Sequence, residues 1–424
     1  MNGESKRALL RVAEDALAHS RDDTVRLAPD VMRVPAAHYT DADRFTLEHE
    51  RLFKRVPLML AASCELQQAG DYKTMDVAGM PVLLVRHEDG RARALVNACA
   101  HRGSPVAAGC GNRASFVCSY HGWTYNRLGE LVGIAARREF GDVDLQRMRL
   151  VQLPLYEKAG LVWVILDPRS TLHVDDFLAG FEDQIAGFGF ESWHFLDRRV
   201  LAGANWKLAF DAHLEFYHLP VLHRETFGPT ISNRTLYYFW GAHQRLGRPS
   251  AGPSFSIPED HDVARLQGRP REEWPEPALL FGEWILFPNV SINRFYEGGQ
   301  GVILSQIFPG ASRDESLTVQ TYLLEKDPSE TDRKKALGML DFLEHVVRDE
   351  DLTNSVAQQR ALDSGALAEV CFGRNEAGLQ HYHRWLEAVL EADGAALAAL
   401  FRAQRRDEPL AIMPLPSVAV ARDS

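Results

Sequence analysis

The chain has 424 residues, of which 46% are hydrophobic and 25% are charged. These proportions are typical of a soluble globular protein, and they exclude a disordered chain, a collagen-like chain and a small disulfide-stapled scaffold. The charged residues sum to a formal net charge of −11, so the basic surface that duplex nucleic acid requires is not expected, and nucleic acid is not an expected partner.

The N-terminal half of the chain predicts two regions. Residues 1–55 are rich in charged, helix-forming sequence and are predicted to form a helical segment that packs with the larger domain. Residues 56–166 contain short β-rich runs between Gly, Asp and Pro residues, which predicts a small antiparallel β domain.

The remainder, residues 167–424, is predicted to form a larger domain. A helix is expected over residues 206–217, with Pro220 ending or kinking it, and a long loop over residues 244–277 that could cover a site. Four strands are expected at 284–287, 291–295, 302–308 and 317–324, and long helices at 329–365 and 378–404. The predicted fold class is therefore α+β, with a small antiparallel β domain near the N-terminus of a larger domain of helices packed on an antiparallel sheet.

The cellular context is predicted from apolar runs and cysteines. No apolar run approaches the roughly 18 residues that a membrane-spanning helix needs, so no membrane association is expected. The N-terminal residues are charged throughout and lack the apolar region of a signal peptide, which predicts a cytoplasmic protein. The five cysteines are few and odd in number, which favours metal ligation over disulfides.

Two short motifs, Cys99-Ala-His101 and Cys118-Ser-Tyr-His121, each place one Cys and one His on a tight turn. Two thiolates and two imidazoles suit either zinc or a [2Fe–2S] cluster in which two His replace two Cys on one iron. Zinc fingers usually pair Cys with Cys and His with His, whereas each motif here supplies one of each. This order favours the [2Fe–2S] cluster, and a structural zinc site is the alternative.

These motifs, with Gly122 and Trp123 after the second His, resemble the Rieske domain of the α (oxygenase) subunits of Rieske non-haem iron oxygenases. That superfamily includes aromatic-ring-hydroxylating dioxygenases and quaternary-amine monooxygenases. The resemblance implies a helix-grip-like catalytic domain that holds a mononuclear Fe(II). A Rieske domain alone would equally suit an electron carrier, so the oxygenase interpretation depends on a second metal site.

The segment from Asn205 to His223 is the candidate for that site. His218 and His223 with a distant carboxylate would form a two-His-one-carboxylate triad, which leaves positions on Fe(II) open for O₂. The pair alone is a weak signal, and His213 is a rival ligand by spacing. The whole segment resembles the mononuclear iron segment of the same family, which implies the two later histidines as ligands, although Ala212 stands where many relatives carry Asn.

The third iron ligand is expected within residues 346–354. The apolar stripe of the predicted helix places Asp349 on the opposite face, and it leaves both Glu350 and Asp351 open. The resemblance to the family, with Gln359 eight residues further on, favours Asp351.

Electrons must come from another protein, because the sequence contains no dinucleotide-binding or plant-type ferredoxin motif. The resemblance implies a separate NAD(P)H-dependent reductase, with or without a ferredoxin, and a head-to-tail homotrimer, with an α3β3 assembly as the alternative. It also implies that Glu215 connects His121 of one subunit to His218 of its neighbour. Glu rather than Asp at this position occurs among relatives that act on quaternary amines.

The predicted function is that of a terminal oxygenase that uses O₂ to hydroxylate, dihydroxylate or oxidatively demethylate a small organic substrate. Its catalytic residues would be Glu215, His218, His223 and Asp351. The alternative is an electron carrier or structural metal protein without a working mononuclear site. Candidate pocket residues are Phe210, Leu214, Phe295 and the strand around 287–289. A cationic substrate could bind in an aromatic cage formed by Tyr237, Tyr238, Trp240 and Trp284. The same aromatic rings suit an arene equally.

Overall fold

The structure is a computed structural model that describes residues 1–228, 231–247 and 257–403. The chain divides into two compact units. The first contains Met1–Leu52, Asp175–Gly189 and the residues from Trp193 onward, and the second contains Phe53–Val174 and Phe190–Ser192. No helix within the described ranges is long and apolar enough to cross a membrane.

The strands of the described ranges, numbered in chain order, are β1 (Met32–Pro35), β2 (Leu58–Ala62), β3 (Asp71–Val77), β4 (Met80–Arg86), β5 (Ala92–Val96), β6 (Cys110–Asn112), β7 (Phe116–Val117), β8 (Thr124–Tyr125), β9 (Leu131–Gly133), β10 (Gln152–Leu153), β11 (Leu155–Lys158), β12 (Leu161–Val164), β13 (His194–Gly203), β14 (Leu236–Trp240), β15 (His243–Gly247), β16 (Glu283–Leu286), β17 (Val290–Phe295), β18 (Gly301–Pro309), β19 (Ser316–Leu324) and β20 (Glu369–Phe372).

The α-helices are α1 (Gly3–Arg21), α2 (Ala37–Thr40), α3 (Ala42–Glu48), α4 (Arg137–Phe140), α5 (Val174–Leu178), α6 (Glu182–Ile185), α7 (Trp206–Asp211), α8 (Leu219–Leu222), α9 (Arg224–Phe227), α10 (Glu276–Leu279), α11 (Glu330–Val346), α12 (Thr353–Asp363), α13 (Ala377–Glu391) and α14 (Gly394–Arg402). Two π-helical segments occupy His49–Phe53 and Val347–Leu352, and 3₁₀ turns occupy Ser63–Glu65, Phe190–Ser192, Glu259–His261, Val263–Leu266 and Arg271–Glu273.

The second unit is built from small antiparallel sheets. Their strand orders are β10-β5-β4-β3-β6, β11-β12-β2 and β7-β8-β9. The core of this unit contains Phe116, Trp123 and Tyr125 together with Cys99 and Cys118. The short strands β7 and β8 therefore bring a cysteine-bearing loop against an aromatic core.

The first unit is built on a seven-stranded antiparallel sheet in the order β13-β19-β18-β17-β16-β15-β14. Its strand β18 is buried at every position, because it lies within the sheet and packs against other elements on both faces. Helix α11 packs Ala336 and Leu340 against Phe295, Ile303 and Tyr322 of the sheet. The predicted fold class, with helices packed on an antiparallel sheet, is therefore confirmed.

The N-terminal segment is joined to α7 by a buried ion pair. The Nζ atom of Lys207 lies 2.8 and 2.6 Å from the two carboxylate oxygens of Glu48, and Trp206 donates its indole N–H to Glu48 at 2.8 Å. Both charged residues are 1% exposed or less. A buried ion pair whose hydrogen bonds are satisfied fixes geometry, and this one fixes the start of α7.

The helix predicted over 206–217 is wrong in its second half. Helix α7 ends at Asp211, and α8 begins at Leu219 with Pro220 in its first turn. Between them, the Glu215 carboxylate accepts hydrogen bonds from the backbone N–H groups of Tyr217 and His218. A side chain that satisfies backbone donors in this way favours a turn over a continuing helix.

Other predicted elements also differ from the structure. The loop predicted at 244–277 contains most of β15 and three 3₁₀ turns, and its residues 248–256 lie outside the described ranges. The helix predicted at 378–404 is two helices, because Asp393 adopts an extended backbone before α14. Strand β1, which the helical interpretation of residues 1–55 missed, pairs antiparallel with β20.

Candidate metal centres

Two loops of the second unit carry the cysteine–histidine motifs and share one backbone pattern. The amide N–H of each Cys donates to the carbonyl oxygen of the residue five positions on, at 2.8 Å in both loops. The N–H groups of Gly103 and Gly122 donate back to the carbonyl oxygens of Cys99 and Cys118 at 2.8 and 2.9 Å. Both glycines have positive φ, at 79° and 70°, which is why Gly is favoured at each turn.

The four side chains of these loops lie together. The rings of His101 and His121 have centroids 4.7 Å apart, and Cys99 and Cys118 are 3% and 2% exposed. The Tyr125 hydroxyl lies 3.2 Å from Cys99 Sγ. Two buried thiols beside two imidazoles on facing loops fit the donor set of a [2Fe–2S] centre in which His replaces Cys on one iron.

The surroundings of these side chains favour the forms that bind metal. Burial raises the pKa of the Cys118 thiol, but hydrogen bonds from the backbone N–H groups of Tyr120 and His121 outweigh it and the pKa lies below its ordinary value. Burial lowers the pKa of His101, and the neighbouring His121 and Arg102 lower it further. Thiolate and neutral imidazole are the forms that act as ligands.

A second group of donors lies in the first unit. One ligand atom each from His218, His223 and Asp351 lies within 4.8 Å of the others. Asp351 Oδ1 is 3.2 Å from His223 Nε2 and 3.8 Å from His218 Nε2. This oxygen is buried and has no hydrogen-bond partner by geometry among the described residues, whereas buried oxygens are normally paired. Two imidazoles and one carboxylate in this arrangement fit the facial triad of a non-haem Fe(II) site.

Each histidine of this triad contacts a separate carboxylate through its Nδ1 atom, on the side of the ring away from Asp351. His218 Nδ1 lies 2.5 Å from Glu215 Oε1, and His223 Nδ1 lies 2.5 Å from Glu350 Oε2. The carboxylates accept the Nδ1 protons, so the Nε2 lone pairs point at Asp351 and are free for a metal. Burial lowers the pKa of His223, but Asp351 and Glu350 outweigh it and the pKa is raised.

The π-helical segment Val347–Leu352 separates the roles of the three adjacent acids. Its wider turn directs Asp351 toward the two Nε2 atoms and Glu350 toward the far side of His223. Asp349 is exposed and pairs with Arg348 and His345, as the predicted helix face required. The regular helical step of the sequence prediction left both Glu350 and Asp351 open as the third ligand. The π-helical turn separates the two side chains and directs them to different partners.

His213, the rival ligand by spacing, is not part of this group. Its Nδ1 lies 3.2 Å from Glu283 Oε1, and Glu283 also accepts a hydrogen bond from the Ser291 hydroxyl. Ala212, at the position where many relatives carry Asn, lies in the turn after α7. No polar side chain at that position therefore contacts the triad.

A cavity of about 330 Å³ opens beside the triad. Its floor is the face of the seven-stranded sheet, and Ser305 pairs with both Ser291 and Gln320 in the strand register. The described residues that line it include the aromatic residues Phe216 and Phe227. The described lining also includes the triad, His213, Glu283, Asn293, Ser305, Gln320, Ile303, Leu343, Val346 and Val347.

The pocket residues proposed from the sequence do not line this cavity. Trp284 packs against Phe188 and lies under the Arg245 guanidinium, on the opposite face of the sheet. The remaining candidates are largely buried in the core, namely Phe210, Leu214, Phe287, Asn289, Phe295, Tyr237, Tyr238 and Trp240. The aromatic cage suggested for a cationic substrate is therefore not present in the described lining.

Comparison with protein families assigns both units. A Rieske [2Fe-2S] domain model matches residues 56–154, and a ring-hydroxylating α-subunit catalytic domain model matches residues 190–392. The chain is 29% identical over 381 residues to the carnitine monooxygenase oxygenase subunit of Escherichia coli (strain K12), a match that covers 84% of this chain and 94% of that protein.

Two solved structures share the fold. The quaternary ammonium Rieske monooxygenase CntA in complex with L-carnitine is 23% identical, with a TM-score of 0.70, covering 85% of this chain and 96% of that one. Naphthalene 1,2-dioxygenase from Rhodococcus sp. is 22% identical, with a TM-score of 0.70, covering 93% and 99%.

These findings define the class of protein. The chain belongs to the oxygenase (α) subunits of the Rieske non-haem iron oxygenases. It is an oxidoreductase that uses O₂ and electrons from a separate protein to oxidise a small organic substrate, and its cofactors are a Rieske [2Fe–2S] cluster and a mononuclear iron. The predicted family, function and cofactors are confirmed.

Proposed function

We propose that this chain is the terminal oxygenase of a Rieske monooxygenase system that oxidises a small quaternary ammonium compound. The observation that carries the proposal is the triad of His218, His223 and Asp351 at the wall of a 330 Å³ cavity. In this proposal the triad holds Fe(II), and the cluster is held by Cys99, His101, Cys118 and His121.

The chain's own residues set the state of the iron ligands. Glu215 and Glu350 accept the Nδ1 protons of His218 and His223, which fixes the orientation of each ring with its Nε2 atom toward Asp351. Iron bound by such a triad supplies O₂ activation, because the triad leaves coordination positions open. The cavity places substrate at those positions and limits the access of water.

Glu215 is also the proposed link between subunits. It is 8% exposed, and one carboxylate oxygen is bound to His218 Nδ1. A head-to-tail homotrimer would bring His121 of the neighbouring subunit to the same carboxylate, an arrangement that closes by three-fold rotation. A separate NAD(P)H-dependent reductase, with or without a ferredoxin, is the proposed electron source, and α3β3 is the alternative assembly.

The substrate class is proposed from the relatives and from the cavity. The E. coli relative is a carnitine monooxygenase, and carnitine is a quaternary ammonium compound. The described sheet floor of the cavity carries Glu283, Asn293, Ser305 and Gln320. This polar floor suits a cation better than an arene, whose binding favours apolar walls. We also propose a cytoplasmic location, because none of the five cysteines, all of which lie in the described ranges, forms a disulfide.

The test is a single turnover on anaerobically purified protein. Iron analysis is expected to give about three Fe per chain, since the cluster contributes two and the triad one. Dithionite-reduced protein mixed with O₂ and carnitine, glycine betaine or choline is expected to form an oxidised product from at least one of them. Product from naphthalene alone would overturn the substrate class, and about two Fe per chain in active protein would overturn the triad.

A further inference from the structure

Glu283 is a buried carboxylate that the proposed iron chemistry does not use. It is 5% exposed, begins strand β16 and lines the same cavity as the triad. Its Oε1 atom accepts a hydrogen bond from the Ser291 hydroxyl and lies 3.2 Å from His213 Nδ1. Both of its described hydrogen bonds end on Oε1, so Oε2 is the oxygen that remains available toward the cavity.

The strand register shows why this charge faces the cavity. Trp284 pairs with Ile292, so Glu283 and Ser291 project from the opposite face of the sheet, where Ser305 stands beside Ser291. These neighbours are neutral. Within the described ranges, no Lys or Arg forms an ion pair with Glu283. Two arginines line the cavity, but Arg234 pairs with Asp23, and Arg294 donates to the carbonyl oxygen of Pro277.

His213 holds this carboxylate in position. Its Nδ1 is engaged with Oε1, and the Ser291 hydroxyl binds the same oxygen, so the two contacts fix the plane of the carboxylate. Oε2 is thereby left available as an acceptor toward the cavity. A site built to bind an external positive charge needs this combination of a fixed carboxylate and an unused oxygen.

We infer that Glu283 is the residue that recognises the positive charge of the substrate, with Oε2 facing its quaternary nitrogen. The inference rests on the proposed function, because it assigns the group that selects the substrate class proposed above. A quaternary nitrogen carries no N–H, so the attraction is between charges and needs no donor opposite Oε2. Phe216 and Phe227 supply apolar faces for the methyl groups.

The experiment compares choline with 3,3-dimethylbutan-1-ol, the neutral compound in which carbon replaces the quaternary nitrogen. Binding to the anaerobic holoenzyme is measured by titration calorimetry. The wild type is expected to bind choline at least about tenfold more tightly than the neutral compound, since a single charge pair in a partly buried site is worth that much. In Glu283→Gln the ratio of the affinity for choline to the affinity for the neutral compound is expected to fall to about threefold or less. The affinity for the neutral compound is expected to stay unchanged.

Two further variants complete the design. Glu283→Asp keeps the charge but withdraws it from the cavity, so its ratio is expected to lie between those of the wild type and Glu283→Gln. The exposed Glu272 serves as a matched control, and Glu272→Gln is expected to keep the wild-type ratio. Rieske absorption and iron content verify that each variant is folded and loaded. If Glu283→Gln cannot be purified in that state, Glu283→Asp decides the question.

The outcomes separate the two proposals. The role of Glu283 is overturned if the wild type prefers choline and Glu283→Gln shows the same preference. Where Glu283→Gln cannot be purified, the same preference in Glu283→Asp overturns it. Either result leaves the substrate class standing. A wild type that binds choline no better than the neutral compound overturns the substrate class and the role of Glu283 together. A ratio that falls in the variants as described supports both.

Discussion

The two metal centres of this chain are built by different parts of the polypeptide. The four proposed cluster ligands lie within residues 99–121, and both loops are shaped by the same pair of backbone hydrogen bonds. The mononuclear site instead joins a turn at residues 218–223 to a π-helical segment that ends at Leu352. Its histidines are oriented by carboxylate side chains, namely Glu215 and Glu350.

This difference decides how each centre responds to substitution. The backbone N–H groups of Tyr120 and His121 that donate to the Cys118 sulfur cannot be removed by a side-chain substitution, so the proposed ligands themselves are expected to be the sensitive positions. At the mononuclear site each histidine depends on one outer carboxylate, so graded effects are expected there.

The largest effect is expected from the cluster ligands. Cys99→Ser or His121→Ala is expected to remove the visible absorption of the cluster and all product formation, because each supplies one of four ligands and assembly is coupled to local folding. Absorption spectra and iron analysis of the purified variants check this. A cluster spectrum retained in both variants would contradict the assignment.

The next largest effect is expected at the triad. Asp351→Ala is expected to keep the Rieske spectrum but to lose the mononuclear iron and product formation, because the triad needs all three ligands. Glu350→Ala, one residue away, is the matched control, and it is expected to weaken iron binding without abolishing it. If Glu350→Ala loses its iron while Asp351→Ala keeps it, the assignment of the two acids is reversed.

The sequence predicted the family, the fold class and four of the seven strands of the main sheet, because motif spacing and hydrophobic periodicity are local. Strands β16 to β19 lie within about one residue of their predicted bounds. It could not choose between Glu350 and Asp351 from periodicity, because at 100° per residue both lie within or at the edge of the apolar stripe. The structure separates them by a π-helical turn that the sequence pattern did not predict.

The substrate cavity was the part that the sequence did not predict. Aromatic residues such as Trp284 and Tyr238 were expected around it, but they lie on the other face of the sheet or in the core. Which face of a strand meets a cavity depends on the tertiary register, which single-sequence patterns do not give. Glu283, missed in the sequence, carried one signal, since a charged residue that begins a run of apolar strand residues is unusual.

A smaller, specific effect is expected at Glu215. Glu215→Gln and Glu350→Gln each remove the charge behind one iron-ligand histidine, so both are expected to weaken iron binding by about 10–100-fold. Glu215 alone is the proposed link to the neighbouring subunit. In iron-replete protein, reoxidation of the reduced cluster by O₂ and substrate is therefore expected to slow strongly in Glu215→Gln and to stay near wild type in Glu350→Gln. Stopped-flow absorption measures this, and equal rates in the two variants would remove the link.

The smallest effect is expected at Tyr125, whose hydroxyl lies beside the sulfur of Cys99. The backbone N–H of Ala100 donates to the Tyr125 oxygen at 3.0 Å, so the hydroxyl proton is available for Cys99 Sγ at 3.2 Å. Burial and the contact with Cys99 raise the pKa of Tyr125, which keeps that proton in place.

A hydrogen bond to sulfur stabilises the reduced cluster more than the oxidised one, because the reduced cluster carries more negative charge. Tyr125→Phe is therefore expected to lower the reduction potential. One hydrogen bond is worth about 0.5–1.5 kcal/mol, which corresponds to about 20–60 mV for a one-electron couple. Redox titration followed by circular dichroism measures the shift. The control is Tyr120→Phe, because the Tyr120 hydroxyl makes no contact with sulfur among the described hydrogen bonds. This variant is expected to leave the potential unchanged. An equal shift in both variants would contradict the role of the Tyr125 hydroxyl.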